Sequence, residues 1–381
     1  MASTSSEPVI VGAGPVGVAA ALFLARAGTR VRLVDRAARP RTHSRALVVN
    51  PRTLQLLEPT GVTEQLLAIG KRIVGAQFRN EGRVVAQLSL DQLPGDRKFL
   101  LAVSQSVTER LLREALEKAG GTIERGIELA DCRPADGGAA VELHKTAADG
   151  QPEIEHVTAP WLLAADGAHS VARSALEVPF PGSTFARQWY LADAPLQTDL
   201  PEDHVHIIFL PGGRFLFLAR VIDDQQPPTA APLWRVLGNL RDPATRVPNA
   251  TVAGPLLWTS AFTIEHRIVA AMQRGPIALA GDAAHVHSPV GARGMNLGIE
   301  DAWVFARLTL AGRQADYGKL RRKVDRSVVR RVSAIARMAG GESITTRLLR
   351  RWALPAVIKV PAVRRNMLAT VSGLDHPLPA V

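Results

Sequence analysis

The chain has 381 residues, enough for two cores or one large domain with an inserted lobe, and its 46% hydrophobic and 21% charged content is that of a soluble globular protein. A single cysteine, Cys132, excludes a disulfide framework, a Cys-x-x-Cys redox pair and a thiolate metal cage. The net charge of +11 is dispersed arginine suited to anionic cofactors or substrates; with aromatics at 5% and no recognised nucleic-acid motif, it argues against nucleic-acid binding.

Residues Pro8 to Arg36 read as strand, turn, helix, strand. The apolar run Val9-Ile10-Val11 leads into Gly12-Ala13-Gly14-Pro15-Val16-Gly17, a small-residue helix to Ala27, Gly28, and the strand Val31 to Asp35. This is a complete βαβ dinucleotide fingerprint: Gly12 makes the tight turn, Gly14 admits a pyrophosphate to the backbone, Gly17 lets helix pack on strand, and Asp35 offers an acceptor to a ribose hydroxyl. The fingerprint alone leaves open whether the ligand is NAD or FAD. The segment before it, MASTSSEP, has neither the basic start nor the apolar core of a signal peptide, and no run of about 18 uncharged apolar residues follows, so a cytoplasmic protein without a transmembrane segment is expected.

Residues Arg39 to Asn50 form a loop and strand with Arg45 just before the apolar Ala46 to Val49, and Pro51 starts a helix. A second helix runs from about Thr63 to Ile69, and Ile73 to Leu90 read as two strands joined at Asn80-Glu81-Gly82. An amphipathic helix follows with Ser106 and Glu109 as its capping box and Gly120-Gly121 as its stop. Three strands (Ile123 to Leu129, Ala140 to His144, Glu153 to Val157) form a meander with turns at Asp136-Gly137-Gly138 and Asp149-Gly150. The buried strand Trp161 to Ala165 then ends in Asp166-Gly167-Ala168-His169-Ser170 and a short helix through Arg173.

From Pro179 to Thr263 the texture changes to alternating strands (His204 to Leu210, Phe215 to Val221, Leu256 to Ile264) that hold most of the Trp and Phe, a lobe suited to an apolar pocket wall. Gly275 to Ala302 organises the rest. Ile277 to Ala280 is a short buried strand ending at Gly281-Asp282, and a loop with Pro289, Gly291 and Gly294 feeds a helix from Met295 to Leu308. The bare N–H groups and partial positive charge of that helix start suit an anionic reduced ring, and the glycines let a flat ring approach the backbone. Residues Lys319 to Val381 read as basic helices broken at Pro355 and Pro361. The basic residues Arg347, Arg350, Arg351, Lys359, Arg364 and Arg365 around Trp352, Ile358 and Met367 could lie on an acidic lipid surface, though packing on the nucleotide domain or in a homodimer is the stronger reading.

Three motifs, Gly12 to Gly17 with Asp35, Asp166-Gly167 in LLAADGAHSVAR, and Gly281-Asp282 in AGDAAHVHSPVGARGMNLGIEDA, in this order and spacing resemble the FAD-dependent aromatic monooxygenases of the p-hydroxybenzoate hydroxylase type. The resemblance implies an α/β fold: a Rossmann-like FAD-binding domain (1–75, 98–179 and 265–330) with an inserted, mostly antiparallel β-sheet substrate domain (76–97 and 180–264) and C-terminal helices (331–381). It implies that Gly12, Gly14, Pro15, Val16 and Gly17 hold the FAD pyrophosphate and Asp35 the adenosine ribose, with Arg45 and Gln105 on the phosphates and ribityl chain and Arg36 a further cofactor-binding residue. Gly281 and Asp282 would meet a ribityl hydroxyl; Pro289, Gly291 and Gly294 would lie beside the ring, with Met295 and Asn296 N–H groups at its pyrimidine edge. Asp166 would support FAD, and His169 and Arg173 the passing NADH or NADPH. The implied reaction hydroxylates an aromatic, phenolic or polyketide-like small molecule with NAD(P)H and O2 through a flavin hydroperoxide; an epoxidase, oxidase or reductase of the same fold is the alternative. Chemistry on the flavin needs no catalytic triad. His206, Arg214 and Tyr190 in the pocket lobe, with Pro289, are the candidates for a pocket role. His285 and His287 have metal-pair spacing but no third ligand, so no metal is expected.

Overall fold

The structure, a computed structural model, describes residues 3–4, 7–40, 46–146, 152–224, 226, 229–289, 291–340, 356, 358 and 360–380. Three short apolar runs with no charge in their interiors, Val9–Val11, Leu162–Ala164 and Ile277–Leu279, are wholly buried and lie side by side in parallel. Arg32–Asp35 and Ile123–Arg125 extend this sheet on one side, and the antiparallel Gln273–Arg274 closes the other. Continuous apolar strands are expected where helices cover both faces. The helix Pro15–Arg26 packs through its alanine face on this sheet and against Gly294–Leu310, where Gly298 admits Val16: a Cβ at Gly298 would stand 2.5 Å from Val16 Cγ2.

The meander folds as Ile127–Ala135, Gly138–Thr146 and Pro152–Ala159 in one antiparallel sheet, with Ser3–Thr4 added in parallel. Its Asp149-Gly150 turn lies outside the described residues. Arg32 ties the two sheets together, reaching Glu124 at 2.8 Å and Glu155 at 2.7 Å.

The largest sheet is antiparallel except where His204–Phe209 runs parallel to Gly75–Asn80. Four of its strands were not expected, two of them the two-residue Thr251–Val252 and His285–Val286. Gly182–Gln197 spans 16 residues and Leu233–Gly238 pairs with it. In Leu233–Gly238 and its neighbour Phe215–Arg220, alternation sorts the side chains: Leu216, Leu218, Trp234 and Val236 enter a closed core, while Phe217, Arg235 and Leu237 face the cavity described below.

The 105–118 helix is capped by Ser104, whose hydroxyl accepts from Val107 N, rather than by the expected Ser106 and Glu109 box. Ser106 instead donates to Asp223, and Glu109 accepts from Gln105. Tyr317–Gly340 and Pro361–Ser372 are helices, as the basic C-terminal segment foretold. Arg347, Arg350, Arg351, Trp352 and Lys359 lie outside the described residues, while Ile358 is buried and Met367 packs on the same apolar cluster. Among the described residues no helix is long and apolar enough to cross a membrane.

Candidate functional site

A cavity of about 920 Å³ runs from the first Gly-rich turn, past the ends of the buried parallel strands, to the start of the Gly294–Leu310 helix and the face of the large sheet. Its location outside the carboxyl ends of parallel strands is where open α/β sheets bind ligands.

At the first end the backbone does most of the shaping. Gly12 sits at φ +98°, and a Cβ there would meet Ala165 O at 2.3 Å; one at Gly17 would meet Gly12 O at 1.9 Å. Gly14 has no heavy atom within 4 Å of where its Cβ would be, so space is left on the cavity side. The following helix begins without a side-chain cap, leaving its first N–H groups for a ligand. Pro15 and Val16 line the cavity. Asp35 also lines it, but both of its oxygens already accept backbone bonds, from Ala13 N at 2.6 Å and Ala37 N at 2.7 Å. The carboxylate thus shapes the turn as well as facing the cavity. Arg36 is exposed at the rim, 3.7 Å from Glu128. Arg45 lies outside the described residues. Gln105 lines the cavity while donating to Glu109 at 2.6 Å.

In the middle, Asp166 has a divided role. Oδ2 caps the short Val171–Ala175 helix, accepting from Val171 N at 2.8 Å and Ala172 N at 3.2 Å, whereas Oδ1 is buried with no partner among the described residues. A buried acceptor left unmade is costly, so it marks a place where a ligand's donor fits. Asp282 and the exposed His169 are on the lining. Arg173 is not: it donates to Ala283 O and Ala168 O and lies over the Phe180 ring, tying together the loops after two strands.

At the far end Pro289, Gly294, Met295 and Asn296 line the cavity; Gly281 and Gly291 do not, although their chain neighbours Ala280, Asp282 and Ala292 do. The helix again has no side-chain cap. The Asn296 side chain does more than its backbone promised: it accepts from Asn50 N and donates to Val48 O and Ala292 O, fixing the 48–50 segment to the helix start. Ala292 holds φ +53°, a left-handed backbone with a methyl attached. The sheet wall contributes Phe217, Leu237, Trp258, Phe262 and Ile264, with Arg235 held by Asp193 at 2.7 Å and stacked on Trp258.

Three pocket-lobe candidates are elsewhere. His206 is fully buried and bonded to Pro201 O, Tyr190 bonds to Gln188, and Arg214 is exposed beside a turn; none lines the cavity. The physical reason is the two-residue period of their strands, which turns His206 and Tyr190 away.

Behind the far end lies a buried ion network that the sequence did not announce. Arg321 reaches Asp301 at 2.6 Å, Asp325 at 2.7 Å and Glu300 at 2.5 Å; His285 meets Asp301 at 2.8 Å; His376 joins Glu300 at 2.6 Å to Asp375 at 2.9 Å. Asp375 in turn faces Arg293, the residue before the helix, at 3.4 Å. Burial opposes the His285 charge, yet Asp301 raises its pKa to about 9; burial would lift Glu300, but Arg321 and His376 hold it well below the usual range. His285, Asp301 and Asp325 bring ligand atoms within 4.8 Å of one another, a metal-like triangle, but the Arg321 guanidinium already supplies its positive charge.

The chain is 37% identical over 310 residues to a 6-methylpretetramide 4-monooxygenase of Streptomyces rimosus, covering 79% of this chain and 55% of the relative. It is 30% identical to a 12-dehydrotetracycline 5-monooxygenase/anhydrotetracycline 6-monooxygenase of the same species, covering 98% and 77%. It thus spans little more than half of the first relative. The crystal structure of a p-nitrophenol 4-monooxygenase from Pseudomonas putida shares the fold, with a TM-score of 0.83 at 22% identity over 98% of this chain and 99% of that one. A family model described as an FAD binding domain matches residues 6–320, so the chain belongs to that FAD-binding family, in agreement with the resemblance its three motifs carry.

Proposed function

We propose that the protein is an FAD-dependent, NAD(P)H- and O2-using monooxygenase that hydroxylates an aromatic, phenolic or polyketide-like substrate. The observation that carries this reading is the single cavity that joins a dinucleotide turn to an uncapped helix start and an apolar wall. FAD, when bound, supplies the redox and oxygen chemistry. Gly12, Gly14, Pro15 and Val16, with the open N–H groups of the first helix, bind its pyrophosphate, and Gly17 keeps that turn closed. Asp35 takes the ribose, Arg36, Arg45 and Gln105 the phosphates and ribityl chain, and the unmade Asp166 Oδ1 and the carboxylate of Asp282 accept hydroxyl groups. Met295 and Asn296 offer N–H groups to the pyrimidine edge, while Pro289, Gly291 and Gly294 give the ring its space; the positive helix end favours the reduced anion. In this reading His169, exposed on the cavity lining, meets NADH or NADPH, and Arg173 orders the adjoining loops.

Phe217, Leu237, Trp258, Phe262 and Ile264 supply a dry, flat-sided wall for the substrate, the task of the 76–97 and 180–264 lobe. The relatives' names point to fused-ring polyketides as the first compounds to try. The test is a flavin absorbance spectrum of the purified protein, then NADH and NADPH oxidation under air with phenols and tetracyclic polyketides. Oxidation stimulated by one compound, with a product heavier by one oxygen, is expected. No retained flavin after reconstitution with FAD overturns the cofactor reading, and oxidation that yields only hydrogen peroxide with every compound overturns hydroxylation.

A further inference from the structure

None of the three pocket-lobe candidates lines the cavity, whereas His287, on a different element, does. His287 follows the two-residue strand His285–Val286, which pairs antiparallel with Arg267 and Ile268 and so lies beside the end of the strand that carries Phe262 and Ile264. It lines the cavity, and its Cε1 stands 3.9 Å from where a Cβ on Gly294 would be, at the first residue of the far helix. His287 therefore occupies the corner between the sheet wall and the helix start.

The hydrogen bonds fix what that imidazole offers. Nδ1 lies 3.0 Å from Ser288 O, an atom that only accepts, so the ring proton is on Nδ1 and Nε2 is a bare lone pair. Nε2 is buried and has no partner among the described residues. Burial, with the charged His285 ring 6.3 Å away, pushes the His287 pKa down to about 3, so the ring stays neutral and accepts a hydrogen bond without taking the proton. His266, which also disfavours a charge on His287, is occupied at Nδ1 by Ser333. A buried acceptor on a cavity wall asks for a donor brought by the ligand.

We propose that His287 is a catalytic residue that binds an acidic hydroxyl, phenolic or enolic, of the substrate through Nε2 and thereby orients the ring for attack. This rests on the monooxygenase reading for the identity of the cavity's occupants, and it defines the substrate class further: an aromatic bearing a free hydroxyl, not its ether. Two variants separate the atoms. His287→Asn keeps a donor where Nδ1 is and removes the Nε2 acceptor; His287→Gln places an acceptor near Nε2.

The experiment is equilibrium dialysis of 2-naphthol and 2-methoxynaphthalene against the purified holoprotein, with FAD retention read from absorbance in the same samples. The wild type is expected to favour naphthol about tenfold, the value of one hydrogen bond. His287→Asn should lose that preference with its ether affinity and flavin content unchanged, and His287→Gln should regain part of it. A wild type that binds naphthol no better than the ether, or a His287→Asn protein that keeps the preference, overturns the proposal. Loss of the preference in His287→Asn together with its flavin also overturns it, because His287 would then serve the cofactor. A wild type that retains no FAD fails the monooxygenase reading instead, and the dialysis result is read separately from that.

Discussion

The two ends of the cavity are built by opposite means. At the first, neutral backbone is brought close by small residues: Gly12 against Ala165 O, Gly17 against Gly12 O, and Gly14 open to the ligand. At the other, the helix start is backed by full charges taken out of water, Arg293, Arg321, His285 and His376 facing Asp375, Glu300, Asp301 and Asp325. A turn made of close contacts tolerates no added volume. A buried ion network tolerates no missing partner and depends on pH. Added volume therefore damages the first end, and a lost charge damages the other.

The largest effect should follow from breaking the charged end. Arg321→Met leaves Glu300, Asp301 and Asp325 without their shared cation, and breaking a buried pair costs about 3–5 kcal/mol. A urea titration should show that loss as a lower midpoint; a shift below about 1 kcal/mol would mean that the network is hydrated. At the other end, Gly17→Ala forces a methyl onto the Gly12 carbonyl and should cost about 1–3 kcal/mol together with flavin retention. Retained flavin at unchanged stability would show that the turn can open.

The pH profile sharpens the contrast. The raised pKa of His285 stabilises the fold fully below its unfolded value of about 6.5, and that contribution is lost as pH rises through about 9. Glu300 and Asp375 have depressed pKa values, so their contribution is present above about 4.3 and 3.9 respectively and is lost as pH falls. Thermal midpoints across pH 2 to 10 should thus fall at both ends; a flat alkaline limb would deny the charged His285. The smallest effect is expected at Ala292, where the left-handed backbone costs about 1–2 kcal/mol and glycine returns about 0.5–1 in lost freedom. Ala292→Gly should raise the thermal midpoint slightly, and a decrease would show that the methyl packs usefully.

The same contrast governs what could be read in the sequence. The first end was legible because its chemistry is local: six consecutive residues, a helix and a terminal acid fall within Val9 to Asp35. Three parallel strands were legible as uncharged apolar runs. The charged end was not, because Arg52, Arg321 and Asp375 come from segments distant in sequence from the stretch that holds His285, Arg293, Glu300 and Asp301. A trace existed in Glu300-Asp301, two acids inside an otherwise apolar helix that must have found cations. The strand Leu233–Gly238 hid for a related reason: Arg235 interrupts an apolar run, and only its pairing with Asp193 explains its burial. His206 and Tyr190 fell on the wrong faces because strand register is set by partners far along the chain.

Arg52 donates to the carbonyls of Gly373 and His376 across 321 and 324 positions of sequence, and a Cβ on Gly373 would lie 2.8 Å from Arg293 Nη1 and 2.9 Å from Asn50 Nδ2. Such long loops close slowly, and the amino-terminal turn can assemble well before the residues that complete the opposite end leave the ribosome. The nascent protein should therefore pass through a stage in which it holds the nucleotide half of its ligand while the ring half is still open to water. Refolding followed by flavin fluorescence would then show two phases, early and late.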